Sequence, residues 1–409
     1  MPRLRPRAAG LVFGAALLFG IGTSVQAGWL LVLASCLLGT TIAGVLLPLR
    51  MLRGIEVERR APAEAFQGDR VDVHLVVTNR SRGTRLAIVL RDEHVAPSTS
   101  FVPRVRGGET VVVSTSRPAA RRGVHIASEI VLSSGAPFGV AVNLRRLAVP
   151  GETVVYPVVV PLRELPFLGA SPTAERALHT MPRRGTGPDY LGIREYRSGD
   201  SMRHVHWPST ARHGELMVRE FEREETRRLA VVVDAAVDTG GGVTPLDRCC
   251  SIAASVAFAA SGRGQGVRLI STVEGEPSVL QRAEPLELLR WLAELTPSGG
   301  PIPAELLPTL GAELQGADTV VLALPTWRFN GTGALVDAIG DVCARVPRVV
   351  VVLAEAHRFE GVARRRTLDA SELDELGSAL EVRGALVCRA GAVDDLAVSL
   401  GRLPLGVLR

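Results

Sequence analysis

Aromatic residues are scarce in this chain, at 4% of 409 residues, although 46% are hydrophobic. Its cores must therefore be built from Val, Leu and Ala rather than from large rings. Cysteine is scarcer still. The five are Cys36, Cys249, Cys250, Cys343 and Cys388, an odd number with no CxxC spacing. This argues against a disulfide framework and a zinc site, and fits a reducing compartment. No GxxxxGK[ST] and no GxGxxG opening a helix occurs, so no nucleotide is expected to bind this chain. A formal net charge of +5 is modest for the length, and nucleic acid is not expected as a partner.

What is present begins with two long apolar runs, about 8–26 and 29–49. Arg3, Arg5 and Arg7 precede them, Arg50, Arg53, Arg59 and Arg60 follow, and the joint between them carries no charge. About 20 apolar residues cross a bilayer as a helix. Arginines at both outer ends predict a transmembrane helical hairpin over 1–54, with both ends cytoplasmic. A competing reading is a cleaved signal peptide ending near Val25 and Ala27. The second run is then a stop-transfer helix, and the body stays cytoplasmic in both readings.

From 55 to 161 the pattern alternates. Val71, Val73 and Leu75 interleave with Asp72 and His74, and Thr78-Asn79-Arg80-Ser81 reads as a turn. Further strands are expected at Leu86–Leu90, Thr110–Ser114, Ile126–Leu132 and Val154–Val160, making an antiparallel β-sandwich. Arg121-Arg122-Gly123 reads as a charged hairpin end, and Phe138, between Pro137 and Gly139, as a plug over the end of the sandwich. His74, His94 and His125 read as surface or strand residues. Residues 162–186, rich in Pro, Ala, Thr and Arg, read as a linker.

From 229 to 409 strand and helix alternate. Apolar runs at Leu229–Val233, Val267–Thr272, Thr319–Leu324, Val349–Leu353 and Ala385–Cys388 are separated by helical stretches. This predicts an α/β doubly wound parallel sheet, Rossmann-like in class. Ligands of such sheets sit beyond the carboxyl ends of the strands. That points at Asp234, just past the first strand. With Asp238 it could hold a hard divalent cation such as Mg2+, or Asp234 could simply cap the following turn.

Between these regions lies 187–228, and within 187–212 four arginines, Arg194, Arg197, Arg203 and Arg212, are interleaved with Tyr190, Tyr196 and Trp207. Asp200 follows Gly199 in a turn and can accept from an arginine fork, and Trp207 offers a face for a guanidinium. An internal capping network and a partner surface both fit these residues. Arg194-Glu195-Tyr196, Gly199-Asp200, Arg203, His206-Trp207 and Ala211-Arg212, followed by a strand ending in Asp234, resemble the signature of the domain-of-unknown-function 58 family. The order of the whole chain is similar to that family's: hairpin, sandwich, signature, then a von Willebrand factor A-like domain.

The resemblance implies a bacterial plasma-membrane protein, two-pass, with cytoplasmic soluble domains and a MoxR-type AAA+ ATPase as protein partner. It implies an adaptor role in assembly or maturation of other proteins, without an enzymatic activity or cofactor of its own. Metal-binding type A domains carry Asp-x-Ser-x-Ser after their first strand. This chain instead has Ala236 and Asp238 at the two serine positions, which weakens any metal site at Asp234. An alternative is a hydrolase or metal-dependent enzyme using His204, His206 and His213, with Ser209 and Asp200 nearby. It lacks a GxSxG elbow and a spaced set of further ligands. Another alternative is a structural envelope protein acting through its sandwich.

Overall fold

The computed structural model describes residues 3–4, 6–162, 165–168, 184–195, 206–213, 215–222, 228–235, 243–273, 276–281, 284–297, 303–327, 332–359, 367–391 and 396–401. The chain divides into two compact units, Met1–Val158 and Val159–Arg409. It is a multi-domain protein of apolar helix, mixed sheets and α/β layers.

In the first unit β1 (Arg3–Leu4) leads into helix α1 (Pro6–Ser24), and α2 (Gly28–Met51) follows after a short joint. The helices pack closely: a Cβ placed on Gly22 would meet Leu30 at 3.0 Å. α2 is long and apolar enough to cross a membrane, with a hydropathy of 2.4, and α1 is a shorter apolar helix. Large side chains on both face outward, including Phe13, Phe19, Trp29, Val32 and Ile42.

Strands begin directly after the end of α2. β2 (Ile55–Arg60), β4 (Arg70–Asn79) and β7 (Thr110–Pro118) form one sheet. β3 (Glu64–Phe66), β5 (Arg85–Asp92), β6 (Ser98–Val105), β8 (Gly123–Ser134) and β9 (Ala141–Tyr156) form the other, ordered β1-β9-β8-β5-β6 with β3 parallel to β9. Alternation decides what is inside. Val71, Val73, Leu75 and Val77 of β4 are buried, while Asp72 and His74 between them are exposed. They share a core with Ile88, Leu90, Ile130 and Leu132 from the facing sheet.

The second unit opens on a strap rather than a free linker. Leu162, Leu165, Phe167 and Leu168 are buried. The expected linker at 162–186 is otherwise outside the described residues up to β10 (Arg184–Glu195). β10 pairs antiparallel with β11 (Met217–Glu222), and α3 (Trp207–His213) lies between them in sequence.

The six-stranded sheet comprises β12 (Arg228–Val233), β13 (Gly266–Val273), β14 (Glu276–Gln281), β15 (Thr319–Pro325), β16 (Arg348–Ala354) and β17 (Leu386–Ala390). Its order is β14-β13-β12-β15-β16-β17. All pairings are parallel except β13 with β14. The wholly parallel sheet expected from the sequence thus carries an antiparallel edge strand. β14 follows β13 too closely for the crossover that a parallel partner requires. Helices α4 (Pro245–Ser261), α5 (Pro285–Glu294), α6 (Pro303–Thr309), α7 (Thr332–Arg345), α8 (Ala370–Val382) and α9 (Leu396–Gly401) complete the unit. Alternate strand residues such as Ala230, Val232, Leu322 and Val351 join α6, α7 and α8 in one core. α4 packs on the same strands without entering that core.

Candidate functional site

Strand order reverses between β12 and β15, so the crevice beyond their carboxyl ends is the topological switch point where such sheets bind ligands. Asp234 stands there, one residue past β12, with 1% of its surface exposed and its amide donating to the Ala323 carbonyl at 3.1 Å. Ser271 at the neighbouring strand end donates to the Val233 carbonyl at 2.8 Å. Across the switch, Thr326 ties β15 to β16. Its amide donates to Ala354, and its hydroxyl accepts from the Ala356 amide at 2.9 Å. Glu355 pairs with Arg358 at 2.5 Å.

α4 enters at this same end of β12. Its first turn is closed by its own side chains: Asp247 accepts from the Thr244 amide at 3.0 Å, and Thr244 accepts from the Asp247 amide at 3.1 Å. The helix N-terminus, which would otherwise favour an anion, is thus occupied by a carboxylate of the chain itself. Among the described residues no three His, Cys, Asp or Glu side chains converge as metal donors. Asp238 lies outside the described residues. Glu355 and Arg358 escaped the sequence reading. For Glu355 the signal is the one that marks Asp234: a polar residue just after a continuous apolar strand.

The second candidate is the β10–α3–β11 segment. Arg194 pairs in register with Val218, and Glu195 with Met217. The Met217 carbonyl accepts from the His206 amide at 2.8 Å, and its amide donates to the Thr210 hydroxyl at 3.0 Å. Thr210 in turn donates to the His206 carbonyl at 3.1 Å. These bonds hold the start of α3 against β11. His206 is half-buried, with its Nδ1 2.8 Å from the Ser209 hydroxyl, a contact across the first turn of the helix. Trp207, the next residue, is 64% exposed, and Glu195 and Arg212 are exposed as well.

Tyr196, Gly199, Asp200, Arg203 and His204 lie outside the described residues, as do the side chains of Arg194, Ala211 and His213. The structure therefore joins Glu195, His206 and Ala211-Arg212 through one strand pair and one short helix.

Similarities to known proteins are slight. No curated protein matches the chain. Solved structures with some likeness include a CARDB domain from Pyrococcus furiosus, at 12% identity over 25% of this chain and 86% of that one, with a TM-score of 0.19. A β-glucosidase from Listeria innocua shares 15% identity over 24% of this chain and 16% of its own, with a TM-score of 0.14. The alkylpurine DNA glycosylase AlkC from Pseudomonas fluorescens shares 12% identity over 34% and 45%, with a TM-score of 0.16. Likenesses this low carry no argument about fold or activity. The informative match is to a family: residues 192–317, running from within β10 to just before β15, match the family described as protein of unknown function DUF58.

Proposed function

We propose that this chain is a membrane-tethered interaction module, held at the cytoplasmic face by its N-terminal helices and gripping another protein through the segment around Trp207. The observation that carries the reading is Trp207 itself, a large ring left exposed at the start of a helix that hydrogen bonds to Met217 fix against β11. A rigidly presented tryptophan among charged neighbours suits the anchor of a protein interface. The family resemblance supplies the partner class, a MoxR-type AAA+ ATPase. Two-pass insertion draws support from β1, which pairs with β9 and so ties the start of α1 to the unit that follows α2. The flanking arginines favour the cytoplasmic side for both ends.

Crosslinking the full chain in native bacterial membranes, with mass spectrometry of what is captured, tests this. Recovery of an AAA+ ATPase, lost in Trp207→Ala and in Arg203→Ala while circular dichroism stays unchanged, is the expected result. Capture unaffected by either substitution, or unfolding of Trp207→Ala, overturns the partner surface. A carboxyl-terminal phosphatase fusion active outside the cytoplasm overturns the orientation.

A further inference from the structure

The turn between β8 and β9 runs from Gly135 to Val140 and is closed by the Gly139 amide donating to the Gly135 carbonyl at 2.7 Å. Gly139 has φ +68, a conformation that larger residues adopt only with strain. At its tip Phe138 is 52% exposed. It is not the plug expected from its setting between Pro137 and Gly139, because more than half of its surface is left open.

The turn abuts α2. A Cβ on Gly44 would lie 2.7 Å from Val140 and 3.6 Å from Phe138. From there the start of β9 follows the helix toward its end. Asn143 donates to the Pro48 carbonyl at 3.2 Å, and Arg145 to the Leu52 carbonyl at 2.9 Å. The position of the turn along α2 is therefore known. Gly44 precedes Arg50, the first charge after the apolar run, by six residues, and at the helical rise that is about 9 Å. Interfacial segments bury their apolar face about 5–10 Å below the headgroups. The exposed Arg50 and Arg53 give the same end positive charge.

We propose that the Gly135–Val140 turn dips into the bilayer beside α2, with Phe138 seated among acyl chains and the arginines at the anionic headgroups. The occupant of this apolar tip is lipid. The inference rests on the reading that α2 spans a membrane. It adds that the β-rich unit is fastened directly to the membrane surface rather than swinging from the end of a helix.

The full chain carrying Phe138→Trp, in phosphatidylcholine–phosphatidylglycerol vesicles with brominated acyl chains, provides the test. Emission added by the new indole over the parent should fall about twofold relative to unbrominated vesicles. Ile126→Trp serves as control. Ile126 is 75% exposed on β8, about 26 Å along the strand from Ser134, and an indole there should keep its emission. Trp29 reports on α2 separately, through the quenching that Trp29→Phe removes from the parent.

Quenching at Trp29 without quenching at position 138 overturns the inserted turn and leaves the spanning helix standing. Blue-shifted, unquenched emission from the Phe138→Trp variant would mean that protein covers the tip, which also overturns it. No quenching at Trp29 means that α2 is not in the bilayer, and both readings fall.

Discussion

Arg59 grips both oxygens of Asp92 inside the β-rich unit, with Nη2 at 2.6 Å from Oδ1 and Nε at 3.3 Å from Oδ2. Arg117 adds a third contact to Oδ2 at 2.9 Å, and all three side chains are buried. Further guanidinium donors reach carbonyls, Arg59 to Val149 at 2.6 Å and Arg117 to His94 at 2.8 Å, and Arg117 Nε donates to the Thr115 hydroxyl at 3.2 Å, while its Nη2 has no hydrogen-bond partner among the described residues. Burial alone would raise the Asp92 pKa, but the hydrogen bond from Arg59 and the charges of Arg117 and Arg59 outweigh it and bring it down. Removing the carboxylate strands two buried cations. Asp92→Asn should cost about 3–5 kcal/mol. Hydrogen exchange in β4, β5 and β8 should then quicken by roughly two orders of magnitude or more. Replacing all three groups by Arg59→Met, Asp92→Leu and Arg117→Met should recover most of that protection. A single Asp92→Asn variant exchanging like the parent would refute the account.

His94 sits against the same cluster. Thr153 donates its hydroxyl to the Pro62 carbonyl at 2.8 Å, so its oxygen accepts from His94 Nε2 at 2.9 Å. The neutral imidazole therefore carries its proton on Nε2. Burial, and then the Arg59 charge, lower the His94 pKa to about 4; Asp92 opposes this, and Arg117 and His125 add to it. In the unfolded chain the ring titrates near about 6.5. The unfolded state then binds more protons between these values. The contribution of His94 to stability is full above about pH 6.5 and fades as pH falls toward 4, by up to about 3 kcal/mol. Calorimetry at about pH 7 and about pH 4.5 should show the transition of the β-rich unit moving down. In His94→Gln that movement should largely vanish. A parent whose transition stays put over this range would contradict the assignment.

Parts of this architecture can be read from the residues and parts cannot, for physical reasons. Leu229–Val233, Thr319–Leu324 and Val349–Leu353 announce themselves because strands buried on both faces are continuously apolar. Val71 to Leu75 does so through alternation. β9 does not, because its first half carries Asn143, Arg145 and Arg146, which serve α2 and the surface rather than a core. β14 hides behind Pro277, tolerated because the strand is an edge. At the candidate site, Asp234 is legible from its place after a strand. That Thr326 and Glu355 end neighbouring strands depends on sheet order, which no local pattern carries. The exposure of Trp207 likewise depends on how α3 is tied to β11.

The contact between Gly44 and Val140 admits a paired test. Gly44 is buried, and the space for its missing side chain is filled by the Val140 methyl. Gly44→Ala should push α2 away from β9 and cost about 1–3 kcal/mol. Val140→Ala opens that space, so the double variant should regain much of the loss. Hydrogen exchange at Ala141–Arg145 in detergent-solubilised chain reads the contact directly. Strictly additive effects of the two substitutions would show that the residues do not meet.

Phe167 offers the sharpest test of where the second unit begins. The ring is completely buried, and its carbonyl accepts from Arg348, the first residue of β16. Gln265 donates to the Leu168 carbonyl at 3.2 Å, and the Val160 amide donates to Ser255 of α4 at 2.9 Å. A segment whose composition reads as a linker is therefore part of the α/β core, anchored by its buried apolar side chains and by these hydrogen bonds. Phe167→Ala should destabilise the α/β unit by about 3–5 kcal/mol. Calorimetry of the full chain should show only that unit's transition shifted, with the β-rich unit's unchanged. Arg348→Met, which keeps the ring and removes a donor, should shift the same transition by less, about 1–3 kcal/mol. Were residues 159–168 a free tether, neither substitution would move either transition.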